Sequence, residues 1–249
     1  MPNEKTRRIR LTTATIKVDS CGITIKGKKL EVGVPIEDWI KVLGKPSRVV
    51  GHYVWDDLGI GVSNDNNSEK IVDALYIYFM NFNSEDGKAG MLNFAPGYEA
   101  FNIDNWDSKY LKENESRLRE KSNPKKFTYP LATYQCFVNL HGGIVKAGMK
   151  IKEINSYRKE LPFSGLFGYV DDDIDGVNDS RNNVDTFGGD YRAAGTICKN
   201  GRLQYYEVTY TGNGNLEYLK IAYEDKSNYE NRLLMMKEEE KTKWKIVLK

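Results

Sequence analysis

The sequence predicts an α+β protein made of two tandem, duplicated β-hairpin–helix–β-hairpin units, with mainly antiparallel sheets and a C-terminal strand-helix-strand extension. Three observations lead there: a globular composition, self-similarity at one fixed shift, and period-two alternation broken by two short helical stripes. The chain has 249 residues, 40% hydrophobic and 29% charged, with 22 Gly and 7 Pro. That profile excludes disorder, collagen-like repeats and membrane spanning by apolar helices. Shifting the sequence by 115 residues pairs Cys21 with Cys136, Gly27 with Gly142, Gly33 with Gly148 and Ile36 with Ile151. The same shift pairs Asp56, Asp57, Gly61 and Val62 with Asp171, Asp172, Gly176 and Val177. Chance would supply about two or three such identities over this stretch, where eight occur.

The elements follow in order. Cys21 to Gly33 alternates apolar and polar residues around a Gly-Lys turn, and Phe137 to Gly148 repeats the pattern around Gly142-Gly143, so each reads as a hairpin. A short helix comes next, with Pro35 as its first residue, Ile36, Trp39, Ile40 and Leu43 on one face, and Gly44 with Pro46 as its stop. The second copy uses Ile151, Ile154 and Leu161, with Pro162 as the stop. Tyr53 to Val62 and Asp73 to Phe79 then read as an antiparallel pair joined by the polar loop 63–70, and Arg202 to Tyr210 is the return strand of the second copy. The narrow stripe Trp106, Tyr110, Leu111, Asn114 and Leu118 predicts a surface connector helix. Leu219, Ile221 and Tyr223 predict a strand, 229–241 a charged helix, and Trp244, Ile246 and Leu248 a last strand. The domains are therefore 13–105, a connector over 106–133, and 134–249, with helices covering one face of each sheet.

Charge excludes some partners. The 37 Lys and Arg nearly cancel 35 Asp and Glu, giving a net charge of +2, so there is no bulk attraction to nucleic acid or to an anionic membrane. Three cysteines, no C-x-x-C pair and no signal-like apolar run at the start predict free thiols in a reducing cytoplasm. Two histidines, His52 and His141, leave little material for a His-rich metal site or a His-dependent triad. No cofactor is expected.

The run Gly33-Val-Pro-Ile-Glu-Asp-Trp-Ile-Lys-Val-Leu-Gly-Lys-Pro resembles the Gly, helix, Leu-Gly-x-Pro signature of the small outer-membrane lipoprotein and β-lactamase-inhibitor-protein superfamily. That superfamily is similarly built of duplicated helix-plus-sheet units, although here no lipobox is present and a hairpin precedes the helix. The run Gly44-Lys-Pro-Ser-Arg followed by Tyr53 to Val62 is similar to cytoplasmic proteins of enteric bacteria, some encoded beside secreted toxins. This second resemblance implies an immunity protein that binds and neutralises a cognate toxin of a type VI or Rhs system, and maps no catalytic residue onto the chain.

The sharpest local motif is Asp171-Asp-Asp-Ile-Asp-Gly, in which Asp171, Asp173, Asp175 and Gly176 match the opening of a calcium loop. The match ends there, since Asn182 stands where a bidentate Glu belongs and Asn178 where an apolar residue belongs. An acidified turn is the simpler reading, and no metal is expected. Asp171, Asp172, Asp173, Asp175 and Asp179 instead form a dense negative run suited to a basic protein surface. With Tyr53, Trp55, Asp56 and Asp57 at the matching place in the first copy, they are the candidate partner-binding residues. Tyr76 and Tyr78 share a strand face, as do Tyr206 and Tyr210, which allows an aromatic sheet face as a protein hot spot. Core packing is the ordinary role of such residues. No nucleophile elbow, zincin motif or P-loop occurs. The expectation is a non-enzymatic binding module, with a carboxylate-based hydrolase as the alternative.

Overall fold

A computed structural model describes residues 16–64, 70–80, 129–158, 166–169, 188–198, 201–211, 214–225 and 227. The predicted connector helix, the Asp171–Asp179 run, and the C-terminal helix and last strand lie outside the described residues.

The first hairpin is β2 (Gly22–Ile25) and β3 (Lys28–Leu30), preceded by β1 (Ile16–Asp19). Helix α1 (Ile36–Leu43) follows, then β4 (Arg48–Val50), β5 (His52–Trp55), β6 (Ile60–Ser63) and β7 (Ala74–Tyr78). After the connector come β8 (Val138–Leu140), β9 (Gly143–Val145), α2 (Ile151–Arg158), β10 (Gly168–Tyr169), β11 (Gly188–Ile197), β12 (Arg202–Thr211) and β13 (Leu216–Asp225). The class is α+β and mostly β. One sheet has the order β3-β2-β1-β8-β9, the other β10-β11-β12-β13-β7-β6-β5-β4. Among the described residues, every strand pairing is antiparallel except β1 with β8.

The two hairpin–helix segments agree in detail. β9 and α2 occupy the ranges of β3 and α1 moved by the shift of 115, and the pairings Ile23↔Leu30 and Val138↔Val145 correspond as well. Both hairpins close through two residues in the left-handed region, Lys26-Gly27 at φ 53° and 75° and His141-Gly142 at φ 52° and 88°. Such a turn matches the twist of the strands it joins. Gly33 and Gly148 both have φ near the left-handed region, at 93° and 79°.

Several expectations need correction. Ile16-Lys-Val-Asp forms a strand that the hairpin reading omitted, and β1 is the central strand of its sheet. The run Tyr53 to Val62 is two strands, because Asp56 to Gly59 turns the chain back between β5 and β6. β4, β10 and β11 were not anticipated. Pro35 stands just before α1; α2 is described through Arg158, and Leu161 and Pro162 lie outside the described residues. Helix α1 buries Ile36, Trp39 and Leu43 as its spacing predicts, while Gly44 at φ 90° donates its N–H to the Ile40 carbonyl at 2.8 Å and ends it.

One core serves both sheets. Leu75, Ile77, Ile60, Val62, Leu219, Ile221, Tyr206 and Val208 alternate onto the inner face of the eight-stranded sheet, and join Ile16, Val18, Ile23, Val138 and Leu140 in a single cluster. A polar seam crosses it. Tyr206 donates to Gln204 Oε1 at 3.0 Å, and that oxygen also accepts the Cys21 N–H at 2.8 Å. With its proton committed to Gln204, the Tyr206 hydroxyl accepts from His141 Nε2, which fixes the imidazole tautomer. Arg158, buried on α2, lies 4.7 Å from the Phe167 ring and 5.6 Å from that of Tyr206.

The cysteines differ from expectation too. Cys21, in the turn between β1 and β2, and Cys198, following β11, form a disulfide with Cα atoms 5.6 Å apart. It ties one sheet to the other across 177 residues of sequence. The expectation of free thiols is corrected for both residues, and the reducing cytoplasm loses its premise. Cys136 takes no part in the bridge.

The chain passes close to Gly59 on its way into β8. A methyl group on Gly59 would stand 2.1 Å from the Tyr134 nitrogen at a φ of +69°, whereas one on Gly27, at φ +75°, would meet nothing within 4 Å. Gly59→Ala should therefore cost about 3 kcal/mol or more, and Gly27→Ala about 1 kcal/mol, measured as shifts in urea midpoint. Burial first, then the Arg158 charge, pushes the His141 imidazole down from 6.5 to about 4, against a smaller opposing effect of Asp19. Between those two values the unfolded chain binds the extra proton. Stability is thus full above about pH 6.5 and falls as pH drops toward 4, by as much as about 3 kcal/mol. Urea unfolding at several pH values should show this limb flattened in His141→Asn, since Asn tolerates the left-handed φ of that turn.

Candidate functional site

Antiparallel register places Arg192, Glu207, Lys220 and Tyr76 directly opposite one another on β11, β12, β13 and β7. Residues so paired share a face, and this is the face turned away from Leu219, Ile221, Leu75 and Ile77. Arg192 Nε donates to Glu207 Oε2 at 3.0 Å, while Lys220 Nζ stands 3.7 Å from Oε1. The Glu207 side chain is only 7% exposed, so its charge is compensated by two cations instead of water. Glu224, on the same face of β13, acts on Arg192 as well, so the cations of the row are met by more than one carboxylate.

Aromatic rings surround it. The Arg192 guanidinium lies 5.0 Å from the Tyr205 ring, and the Lys220 ammonium 5.6 Å from Tyr76 and 5.9 Å from Tyr205. These separations are within cation–π range. Tyr76 contacts Tyr218 at 5.5 Å edge-on, Tyr218 contacts Tyr78 at 5.7 Å, and Tyr78 contacts Tyr129 at 5.2 Å. On the other side His52 stacks on Tyr76 at 4.9 Å. That contact crosses β6 because the residue opposite Tyr76 is Gly61, which has no side chain to block it. Burial lowers the affinity of Lys220 for its proton, but Glu207, Tyr205 and Tyr76 together outweigh burial and raise its pKa. The same balance, with Glu207 as the raising group, holds for Arg192.

The candidate residues read from sequence are placed elsewhere. Trp55 is 1% exposed, with its indole N–H donated to the Gly44 carbonyl at 2.8 Å, so it packs β5 against the end of α1. It is a core residue and presents no surface to a partner. Tyr53 is half-buried against the same core. Asp56 is a clamp: it accepts from Arg48 Nε at 3.1 Å, from Arg48 Nη2 at 2.9 Å and from the Leu131 N–H at 2.8 Å. Burial acts to raise its carboxyl pKa, yet Arg48 and the Leu131 N–H outweigh burial and lower it. Asp57 is exposed. Asp171, Asp172, Asp173, Asp175 and Asp179 lie outside the described residues.

Tyr76 and Tyr78 do share the face foreseen for them. Tyr206 and Tyr210 face the core, where the Tyr210 hydroxyl donates to the Met149 carbonyl at 2.9 Å. Arg192, Glu207 and Lys220 escaped notice, although each is a single charge set between apolar neighbours in a long alternating strand. Among the described residues, no three His, Cys, Asp or Glu side chains converge as a metal requires. No described helix is long and apolar enough to cross a membrane.

A protein defined this way is a mixed α+β chain with a polar-aromatic sheet face and a hairpin–helix segment present twice. Residues 15–155, more than half of the chain, match a family described as a domain of unknown function, DUF7738, and the chain belongs to that family. The match runs from the start of β1 into α2 and leaves β10 to β13 beyond it. No curated protein and no solved structure matches the chain.

Removing the carboxylate at the centre of the row tests its energetics. Glu207→Leu leaves Arg192 and Lys220 without their counter-ion and should cost about 3–5 kcal/mol. Glu207→Gln keeps an acceptor for Arg192 and should cost less, about 1–3 kcal/mol. Urea unfolding at neutral pH measures both.

Proposed function

We propose that the chain is a non-enzymatic protein-binding module, an immunity protein that binds and neutralises a cognate bacterial toxin. The observation that carries the reading is the row Arg192–Glu207–Lys220–Tyr76 with its flanking tyrosines, since Tyr and Arg are the side chains that dominate binding energy in protein interfaces. The rings and the Arg192 and Lys220 cations suit a mixed polar and apolar patch of the partner, while the Asp171–Asp179 run supplies steering toward a basic part of it. The carboxylates also favour binding over hydrolysis. Glu207 is engaged by two cations and Asp56 by Arg48 and a backbone N–H, so neither is placed as one of a convergent acid–base pair. In this proposal the partner is a protein, with no nucleic acid, membrane or cofactor. We also infer an ancient duplication of the hairpin–helix unit, which the matching ranges, registers and turn conformations of the two copies support. The cytoplasm is not carried into the proposal, because its free-thiol premise fails at Cys21 and Cys198.

The test is affinity purification of the tagged chain from its native host, followed by titration against the captured protein. The expected result is a stoichiometric complex with the product of a neighbouring gene. Tyr218→Ala and Lys220→Met should each weaken it tenfold or more with unchanged circular dichroism. Replacing Asp171, Asp172, Asp173 and Asp175 by Asn should slow association and reduce its salt dependence. No complex, or affinities indifferent to Tyr218 and Lys220, would overturn the reading.

A further inference from the structure

We propose that the chain works in an oxidising, extracytoplasmic compartment, with Cys21 and Cys198 bridged while it acts. The inference is independent of what the protein binds. Two cysteines 177 residues apart are brought to a Cα separation of 5.6 Å, in the middle of the range a disulfide spans without moving the backbone. Each belongs to a different sheet, so no local turn explains their meeting.

The surroundings are those of a structural bridge. Cys198 is 8% exposed, its N–H donates to the Arg202 carbonyl at 2.7 Å, and its carbonyl accepts the Gly201 N–H at 2.9 Å. Cys21 sits at φ 59°, where a non-glycine residue is held only against cost. It is held by the Gln204 side chain on its N–H at 2.8 Å and by the Tyr223 hydroxyl on its carbonyl at 3.5 Å. The backbones of both cysteines are thus held by β12 and β13, through the Arg202 carbonyl and the Gln204 and Tyr223 side chains. A catalytic or redox-sensing cysteine is solvent-accessible, whereas Cys198 is buried. Cys136 is a different case: it takes no part in this bridge and is half-buried on the segment leading into β8, where burial pushes its thiol pKa up.

Forming the bridge removes two protons and two electrons from the two thiols. The electrons pass to the disulfide of a thiol oxidoreductase, the class of oxidant that oxidising compartments maintain and that the cytosol keeps reduced. A cross-link joining both sheets constrains the unfolded chain only where that oxidant is available.

The experiment counts thiols in the source organism. Cells are quenched in acid, and the chain is denatured and labelled with a maleimide-polyethylene glycol, with and without prior reduction. One label per chain, rising to three after reduction, in a chain recovered with the extracytoplasmic fraction, is the expected result. Cys136→Ser should give none rising to two, which assigns the free thiol without disturbing the bridge. Three labels without reduction on most of the chain, or a chain confined to the cytosolic fraction, would overturn the proposal. Neither outcome bears on whether a partner binds the sheet face.

Discussion

The close approach of Tyr134 to Gly59 is the constraint on which the arrangement of the sheets rests. At that point the chain arrives from the connector and must pass the β5–β6 turn to begin β8. The Tyr134 N–H donates to the Tyr78 carbonyl at 2.7 Å, the Tyr78 N–H donates to the Gly59 carbonyl at 2.9 Å, and the Tyr134 hydroxyl accepts the Ile16 N–H at 2.9 Å. One residue thereby joins the end of β7, the β5–β6 turn and the start of β1. Asp56 and Arg48 hold the preceding stretch through the Leu131 N–H, the Ala132 N–H and the Tyr129 carbonyl. Only then can β8 lie parallel to β1, a pairing that hairpins cannot make and that needs a long connection. Burial raises the Tyr134 phenol pKa, as expected of a hydroxyl kept neutral in this position.

The two faces of the eight-stranded sheet meet different demands. The inner face is apolar apart from the Gln204–Tyr206–His141 seam, and it shares its core with the five-stranded sheet. The outer face holds a carboxylate between two cations, each cation lying over a tyrosine ring. Desolvating three charges offsets much of the attraction among them, so the row contributes less to stability than an apolar row of the same volume would. Its value lies in what it presents. The charged groups are framed by rings, and Tyr76, Tyr78 and Tyr218 are each oriented by their aromatic neighbours.

What the sequence revealed followed from periodicity. Ile36, Trp39 and Leu43 announced α1, and the alternation from Cys21 to Gly33 announced the first hairpin, because each pattern repeats the geometry of its backbone. Strand β1 also alternates, but four residues before a turn are too short to stand out. The run Tyr53 to Val62 looked continuous because Asp56 to Gly59 lies between two apolar segments, and only the pairing of Trp55 with Ile60 reveals the reversal. Trp55 and Asp56 were read as a binding surface, whereas their roles depend on Gly44, Arg48 and Leu131. Arg48 and Gly44 lie close by in sequence, yet no pattern states that their partners turn inward.

The polar row and the disulfide were illegible for a further reason. Arg192, Glu207 and Lys220 become neighbours through the β11–β12–β13 ladders, and Tyr76 joins them only once β7 pairs with β13, a contact between strands separated by most of the chain. The bridge likewise needs a long-range contact, since Cys21 and Cys198 stand 177 residues apart in sequence. A cysteine count of three suggested independent thiols because parity carries no information about distance. Cross-linking β1's turn to the end of β11 restrains the strand that carries Arg192. The bulge between Ala194 and Ile197 lies between that arginine and the bridge, so the restraint reaches the row through an irregular stretch of β11 as well as through its regular ladder to β12.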